Sequence, residues 1–334
     1  MFFFNKNKCK NLKINIIIKF FIYIIIFILF NLIPKNKIKM EIKVCLWAIG
    51  KKENKYIKEF INHYIDLGIN KIFLYDNNDI EEEKFDIILN NFIKQKQVQI
   101  INFRGLVRPQ QLAFSQCYNN NKYKYDWFAF YDVDEYLYLY NNKNINKFLS
   151  LPKFKKCSSL LINWKFYGDN NNLYYESKPL KERFKKQFSF SKKNMRFIYY
   201  YAAAKSIIRG GLNITWEHFP HYLKNNIICR PNGEIIKNPL SSPKYSLAHI
   251  KHYATKSTEE FAEKLLKGAA NSNNTLNKSF WIDNINNYYF LFNIKNKDKI
   301  NLFEKKLNIS LNYFNNNSQW IVKLHLYYQF FFLC

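Results

Sequence analysis

Arginine is scarce in this sequence, although the chain is strongly basic. Only six of the 52 basic residues are arginine, and the formal net charge is +27. Proteins that recognise bases or phosphates depend on the forked guanidinium group of arginine. A surplus carried by lysine therefore does not indicate a nucleic-acid-binding protein, and we predict no nucleic-acid partner. The lysines accompany many Asn, Ile, Phe and Tyr residues, a composition typical of A/T-rich coding sequences.

Closely spaced cysteines are absent as well. The six cysteines form no CxxC pair and lie far apart, at Cys9, Cys45, Cys117, Cys157, Cys229 and Cys334. This spacing matches neither a zinc site nor a disulfide framework, so we expect neither, and it leaves the cellular compartment open. Cys45 lies within an apolar stretch, where a cysteine serves as a small core residue.

The chain also has no glycine-rich phosphate loop. Neither GxGxxG nor GxxxxGK[ST] occurs in its 334 residues, and these are the loops that surround phosphates with backbone amides. Any diphosphate that binds here is therefore expected to be held through a cation. Hydrophobic residues make up 48% and aromatic residues 19% of the sequence, which predicts a folded protein and excludes a disordered one.

The N-terminal region predicts a membrane anchor. A basic tail, residues 1–13, precedes a mostly apolar segment, residues 14–33, which ends before Pro34 and Lys35. About twenty residues suffice to cross a bilayer. No small-residue cleavage site follows, so an uncleaved single-pass transmembrane helix is favoured over a removed signal peptide, and a peripheral helix is the alternative. Lysines flank both ends, so the side of the membrane is left open.

From Glu41 onward, short apolar strands alternate with stretches of helical spacing. A first strand, Val44 to Ile49, is followed by a helix over 55–67, a strand over 71–75, a helix over 85–93, a strand over 98–103 and a helix from 108 to about 118. This order predicts right-handed crossovers and a mostly parallel central sheet flanked by helices, an α/β fold. A fourth strand, beginning at Trp127, is expected near the middle of the sheet.

Three carboxylates follow this fourth strand within four positions: Asp132, Asp134 and Glu135. Because side chains alternate along a strand, Asp132 and Asp134 are expected on one side, with Val133 turned away. Paired carboxylates at the end of a buried strand repel each other unless a cation neutralises them. Mg²⁺ and Mn²⁺ prefer such oxygen ligands together with substrate phosphates. The pattern predicts a metal–diphosphate site at the carboxyl edge of the sheet; a solvated acidic turn is the alternative.

Several further motifs follow one another in a fixed order. They are Lys-Lys-Glu at 51–53, Ile-Phe-Leu-Tyr-Asp-Asn-Asn at 72–78, Gln-Gln-x-Ala-Phe at 110–114, Asp-Val-Asp-Glu-Tyr at 132–136, Trp-Lys-Phe-Tyr-Gly-Asp-Asn at 164–170, Lys-Pro-Leu-Lys-Glu-Arg-Phe at 178–184 and His-Ile-Lys-His-Tyr-Ala-Thr-Lys-Ser at 249–257. In this order they resemble the GT-A glycosyltransferases, and most closely the family 92 and family 2-like group once labelled domain of unknown function 23. The resemblance implies a Rossmann-like GT-A catalytic domain over 41–268. Beyond the resemblance, the residues themselves predict a helical, apolar extension over 269–334 that includes an amphipathic helix over 295–307.

The resemblance also implies a metal site. Asp132 and Asp134 match the DxD motif that holds Mn²⁺ or Mg²⁺ against the two phosphates of a nucleotide sugar. His252 matches a late histidine that completes the metal shell, and a half-buried core histidine is the alternative. Glu135 is expected either to orient the metal ligands from behind or to face solvent. The histidines that compete for the ligand role are His218, His221 and His249.

Positions beside the nucleotide follow from the same resemblance. Asp76, after the second strand, matches a carboxylate that contacts the base or ribose, although Asp-Asn-Asn is also a good turn in its own right. Glu53 matches the polar turn after the first strand. Gln111 or its neighbour Gln110 is expected to face the same pocket.

An inverting transferase also needs a general base near the acceptor hydroxyl. The candidates are Asp169, Glu176 and Glu217, and Asp169 is favoured because it follows a strand-like stretch, 159–166, and a glycine. Its alternative role is that of a turn former. The loop that contains Asp169 departs from the Gly-Ser-Ser-Gly-like loop of many relatives, so the acceptor side is not assigned from it. Arg183 and Lys178 are expected to pair with phosphate or with a neighbouring acid.

These expectations combine into one prediction with two alternatives. We expect a membrane-anchored, metal-dependent glycosyltransferase that moves a sugar from a nucleotide-diphosphate donor to a hydroxyl of a glycan or glycolipid, with inversion by analogy to the family. A DxD-type phosphohydrolase is disfavoured, because the first strand supplies no acid. A basic, membrane-tethered binding module is the non-enzymatic alternative. The prediction depends on the two aspartates sharing an ion, and lysines buried against them with no room for an ion would contradict it.

Overall fold

The computed structural model describes residues 22–25, 41–141, 143–187, 204–218, 222–237, 243–267 and 296–307. The chain forms two compact units, Met1–Glu41 and Ile42–Cys334. In the first unit residues 22–25 are helical, and the rest of the predicted anchor over 14–33 lies outside the described residues. Within the described part of the chain, no helix is long and apolar enough to span a bilayer. The anchor stays a prediction, as do the domain boundaries.

As far as Phe130, the second unit alternates strands and helices, as the sequence predicts. Its helices are α1 (Asn54–Asp66), α2 (Phe85–Lys94), α3 (Gln110–Asn121), α4 (Ile145–Leu149), α5 (Leu180–Arg183), α6 (Thr258–Lys267) and α7 (Lys297–Leu307). Its strands are β1 (Val44–Gly50), β2 (Lys71–Asp76), β3 (Val98–Asn102), β4 (Trp127–Phe130), β5 (Glu135–Leu139), β6 (Ser159–Phe166), β7 (Ala204–Arg209), β8 (Trp216–His218), β9 (Tyr222–Leu223), β10 (Ile228–Cys229) and β11 (Ala248–His252).

The main sheet joins a parallel half to a mixed half. Its strand order is β3-β2-β1-β4-β7-β6-β11-β5, with β10 paired to β6. Strands β3, β2, β1 and β4 are all parallel, which confirms the Rossmann-like half and places β4 near the middle. Beyond β4 the sheet becomes mixed, because β7 runs antiparallel to both β4 and β6, and β5 runs antiparallel to β11.

The core lies on both faces of the sheet. Along β1, Leu46 and Ala48 pack into one hydrophobic cluster, and Cys45 and Trp47 pack into another. Strands covered on both faces are continuously apolar, which is typical of parallel sheets beneath crossover helices. Cys45 is a buried free thiol, so the prediction that it is a small core residue is confirmed.

The structure contains a disulfide that the sequence did not predict. Cys157 and Cys229 are bonded, with an S–S distance of 2.08 Å and a separation of 72 residues along the chain. The expectation that disulfides are absent is therefore wrong. The two cysteines meet because β10 pairs in parallel with the start of β6, a contact between distant parts of the chain that local spacing does not reveal.

Candidate functional site

The candidate site lies where β4 gives way to β5. Strand β4 ends at Phe130, and the N–H of Glu135 donates to the carbonyl of Asp132 over 2.9 Å. Residues 132–135 therefore form a turn. The expectation that Asp132 and Asp134 share one side of a strand is wrong, because regular strand geometry stops before either residue.

The register of the sheet brings three metal-ligating side chains together. Glu135 opens β5 and lies directly opposite His252, the last residue of β11. Asp134 precedes Glu135, and its carbonyl accepts the N–H of Tyr253 over 2.9 Å. One ligand atom each from Asp134, Glu135 and His252 lies within 4.8 Å of the other two. The same strand pairing therefore positions both the acidic and the imidazole ligands.

The hydrogen bonding of this group and the neutral form of His252 suit a cation, whereas burial favours the uncharged form of Glu135 as long as no cation is bound. Among the described residues, Glu135 Oε1 and His252 Nδ1 have no hydrogen-bond partner, although both atoms are buried. Burial raises the pKa of Glu135 well above its ordinary value, against the opposing charge of Lys205. Burial also lowers the pKa of His252, which favours the neutral imidazole that binds metals. Two carboxylates and one imidazole form a donor set suited to Mn²⁺ or a similar divalent ion.

Each aspartate of the DxD motif also contacts a lysine. Asp132 Oδ2 lies 2.8 Å from Lys205 Nζ, which is 3.7 Å from Glu135 Oε1. Asp134 Oδ2 lies 2.6 Å from Lys264 Nζ, whereas its Oδ1 lies 3.6 Å from His252 Nε2. Within the described part of the chain, the group of possible ligands does not include Asp132. Lysines thus neutralise the aspartates, yet Asp134 keeps one oxygen directed towards the histidine.

Two further lysines surround Glu53, which is buried before the first turn of α1. Glu53 Oε1 is paired with Lys267, and Oε2 lies 3.8 Å from Lys256 Nζ. The Lys256 ammonium also lies 3.9 Å from the centre of the Tyr56 ring. Lys256 has a φ of 56°, a left-handed backbone conformation that is costly for a residue with a side chain. Glu53, which the sequence predicts beside the nucleotide, is therefore surrounded by the positive charges of Lys256 and Lys267.

The carboxylate of Asp76 is hydrogen-bonded within the turn that follows β2. Its Oδ2 lies 3.0 Å from Arg104 Nη1, and its Oδ1 accepts two hydrogen bonds from Asn78, over 3.0 Å and 2.7 Å. Gln111 is exposed and Gln110 half-buried in the first turn of α3. Their roles beside a nucleotide stay predictions.

Asp169, the favoured general base, lies in a buried ion pair. Its Oδ2 lies 2.5 Å from Lys299 Nζ of α7, and its Oδ1 accepts the N–H of Asn171. Burial raises the pKa of this carboxyl. Glu176 is exposed and pairs with Lys178 over 2.9 Å, whereas the side chain of Glu217 lies outside the description. These contacts support the alternative in which Asp169 holds a turn.

The other predicted ligands and phosphate contacts are placed elsewhere. His249 faces the opposite side of β11 from His252 and packs against Tyr138, with ring centres 5.1 Å apart. The competing residues His218, as a side chain, and His221 lie outside the described residues. Arg183 pairs with Glu260 over 2.6 Å, so the expectation that Arg183 and Lys178 bind neighbouring acids is confirmed.

Sequence reasoning missed four lysines of this region: Lys205, Lys256, Lys264 and Lys267. Two of them had a detectable signal, because positions three apart on a helix share one face, and both Lys264 and Lys267 of α6 face the site. Lys256 lies within the quoted His-Tyr-Ala-Thr-Lys-Ser motif. Lys205 had no local signal, since it is one of many lysines and approaches Asp132 from a strand 73 residues away.

Comparison with known proteins gives one family. The model of glycosyltransferase family 92 matches residues 40–288. A glycosyltransferase family 92 protein of Arabidopsis thaliana is 28% identical over 143 residues, which are 40% of this chain and 23% of that protein. One from Ricinus communis is 24% identical over 103 residues, 31% of this chain and 18% of that protein. The chain thus spans about a fifth of the length of these curated relatives.

Solved structures show a weaker likeness. The crystal structure of S. aureus TarS 1–349 is 16% identical in sequence and has a TM-score of 0.35. The match covers 80% of this chain and 81% of the TarS chain. The same fragment in complex with UDP-GlcNAc is 14% identical, covers 80% of each chain and has a TM-score of 0.33.

Proposed function

Because the chain belongs to glycosyltransferase family 92, we propose that it transfers a sugar from a nucleotide-diphosphate donor to a hydroxyl of a glycan or glycolipid. The observation that carries this proposal is the convergence of Asp134, Glu135 and His252 within 4.8 Å of one another. Family membership supports the class of reaction, and the donor set supports its dependence on a divalent metal.

In this proposal the three residues hold Mn²⁺ or Mg²⁺. The positive charge that they would hold there would offset the negative charge that accumulates on a leaving nucleoside diphosphate. Glu135 supplies a buried oxygen, Oε1, that has no hydrogen-bond partner in the described part of the chain and lies 3.7 Å from Lys205 Nζ. His252 is held in orientation by Trp164 and Phe166, with ring centres 4.6 Å and 5.3 Å from its own. Inversion of the anomeric centre is carried over from the family as part of the proposal.

Asp132 has a separate place in the proposal. Its side chain is 36% exposed and pairs with the buried Lys205, so it lies at the open side of the group. We assign it to the donor side of the metal, as the DxD resemblance implies. The alternative of a phosphohydrolase is not favoured, since β1 ends at Gly50 and carries no acid.

A thermal-shift experiment tests the proposal. UDP, GDP and their sugars are added to the purified full chain, each with and without Mn²⁺. We expect at least one nucleotide sugar to raise the melting temperature only when the metal is present, because ligands that bind the folded state stabilise it. Asp134→Asn should abolish this rise, and release of free nucleotide from the same donor should depend on Mn²⁺.

Glu263→Gln is the matched control, since it also replaces a carboxylate by an amide and lies on α6 in an exposed pair with Lys55. It should keep the full ligand-induced shift. A shift that needs neither metal nor Asp134 would contradict the proposal and favour the lysine-rich binding module.

We also propose that the unit formed by Ile42–Cys334 faces an oxidising compartment, tethered by the predicted single-pass anchor. The Cys157–Cys229 disulfide supports this orientation, because disulfides persist outside the reducing cytosol. To test this orientation, cells are quenched in acid and the cysteine thiols of their proteins are labelled with a thiol-reactive polymer. The labelling is done either before or after the disulfides are reduced. We expect Cys157 and Cys229 to be labelled only after reduction, with Cys157→Ser exposing Cys229 as the control. Labelling of both cysteines without reduction would exclude this orientation.

A further inference from the structure

The lysines around the site differ in how firmly they are held. The side chain of Lys205 is 4% exposed and that of Lys256 is 6% exposed, whereas Lys267 is 17% and Lys264 is 34% exposed. A buried ammonium cannot leave its carboxylate without a large cost, because the charge would then be uncompensated in a low-dielectric interior. Lys264 alone among these four has a third of its side chain in water.

Lys264 also contacts the one aspartate that belongs to the group of possible metal ligands. Its Nζ lies 2.6 Å from Asp134 Oδ2 and 3.0 Å from the carbonyl of Ala254. Asp134 itself is 7% exposed. A cation that uses both oxygens of Asp134 would therefore compete with Lys264 for the same carboxylate.

We propose that Lys264 is an exchangeable counter-ion: it neutralises Asp134 in the free protein and binds a phosphate oxygen of the donor once a divalent cation has taken that carboxylate. This inference rests on the proposed function and adds a donor-binding residue to it. Lys264 acts twice through one ammonium group, first on a carboxylate and then on a diphosphate.

The balance of charge around the site supports this exchange. Four acidic side chains, those of Glu53, Asp132, Asp134 and Glu135, face four lysines, and burial raises the pKa of Glu135 and so favours its uncharged form. A diphosphate adds negative charge to a region whose lysines are already paired with carboxylates. A divalent cation on Asp134 would weaken the ion pair between Asp134 and Lys264, and a phosphate oxygen of the donor could then take the place of that carboxylate. Charge-assisted hydrogen bonds to phosphate are the natural replacement.

Lys205 is a poor candidate for the same role. Its buried ammonium lies between Asp132 and Glu135, at 2.8 Å and 3.7 Å, so it keeps a carboxylate partner whichever of the two binds a metal. The exchange is therefore assigned to Lys264 of α6 and not to Lys205 of β7.

Direct binding measurements on the full chain test the exchange. The variant is Lys264→Met, and the control is Lys306→Met, which also removes one positive charge but from a pair with Glu259 on the α7 side. Mn²⁺ affinity is measured without nucleotide by titration calorimetry. Nucleotide affinity is then measured at saturating Mn²⁺ with UDP and GDP as probes. Melting temperatures show whether each variant is folded.

Removal of Lys264 should shift the two affinities in opposite directions. We expect Lys264→Met to bind Mn²⁺ about threefold to fivefold more tightly, because a partly exposed ion pair no longer competes for Asp134. We expect the same variant to bind the nucleotide about tenfold more weakly, because a charge-assisted hydrogen bond is lost. Lys306→Met should match the wild type in both measurements.

The possible failures are distinguishable. If the wild type binds Mn²⁺ and a nucleotide but Lys264→Met behaves like Lys306→Met, the exchange is wrong and the proposed function survives. If the variant binds Mn²⁺ more tightly and the nucleotide normally, Lys264 is a competitor of the metal only, and its donor-binding role is wrong. If the wild type binds neither Mn²⁺ nor a nucleotide, the proposed function fails, and the exchange fails with it.

Discussion

The two ends of helix α6 hold carboxylates in opposite ways. In its first turn, Glu260 accepts hydrogen bonds from Arg183 over 2.6 Å and 2.9 Å, from the Tyr56 hydroxyl over 2.7 Å and from the Ser257 N–H over 3.0 Å. Towards its last turn, Lys264 and Lys267 extend from the helix to carboxylates of the candidate site. The hydrogen bonds of Glu260 attach the first turn of α6 to the rest of the fold. The last turn supplies two positive charges to the candidate site.

The difference lies in whether the oxygens of the carboxyl groups are hydrogen-bonded. Both oxygens of Glu260 are hydrogen-bonded, and its side chain is fully buried with Arg183. At the other end, within the described residues, buried atoms of Glu53, Glu135 and His252 lack hydrogen-bond partners. A buried polar atom without a partner is costly, and a bound ion or water is one explanation for such an atom in a native structure. We infer that the first turn stabilises the fold and that the last turn serves binding.

The largest effect expected from this contrast is the loss of stability caused by Glu260→Gln. This change keeps the shape of the side chain but leaves the Arg183 guanidinium, 3% exposed, without its counter-charge. Breaking a buried ion pair by removing one partner costs about 3–5 kcal/mol of unfolding free energy. Chemical denaturation at neutral pH measures this loss, with no metal or nucleotide present.

Glu263→Gln on the same helix is the baseline for that measurement. Its pair with Lys55 is about 40% exposed on both sides, and such pairs contribute about 0–1 kcal/mol. The pKa of Glu260 is lowered, since its hydrogen bonds outweigh burial. Its contribution is therefore complete above the ordinary pKa of 4.5 and is lost as the pH falls through the lowered value. Equal stability of the two variants at neutral pH would remove the distinction between the two ends of α6.

Much of the fold could be predicted because its apolar runs end at turn residues. Strand β6 has the predicted bounds, and helix α7 begins two residues after its predicted start. The strand geometry expected for Asp132 and Asp134 was wrong because Tyr131 continues the apolar pattern and is fully buried, although it has left the strand. Hydrophobicity reports burial, and a buried residue need not be in a strand.

The candidate site was only partly predictable for a related reason. Asp134 and His252 could be predicted as candidate ligands because their motifs are local in sequence. Their lysine partners were not predicted, since Lys264 contacts Asp134 across 130 residues, and no local pattern distinguishes Lys205 from the other lysines of the chain. The disulfide was missed on the same ground. Long-range pairing of common residue types is determined by the topology of the sheet, which a linear pattern does not contain.

The smallest effect that still separates the two ends concerns Asp134→Asn in the free protein. Lys264 and His252 outweigh burial and hold the pKa of Asp134 well below its ordinary value, so loss of the charge should cost some stability. The cost should be lower than for Glu260→Gln, because Lys264 is 34% exposed and can turn its ammonium to water instead of remaining buried and uncompensated. We expect about 1–2 kcal/mol, between the exposed and the fully buried cases, measured by the same denaturation without metal. A loss as large as that of Glu260→Gln would show that Asp134 also stabilises the fold, and Lys264 could then not be an exchangeable partner.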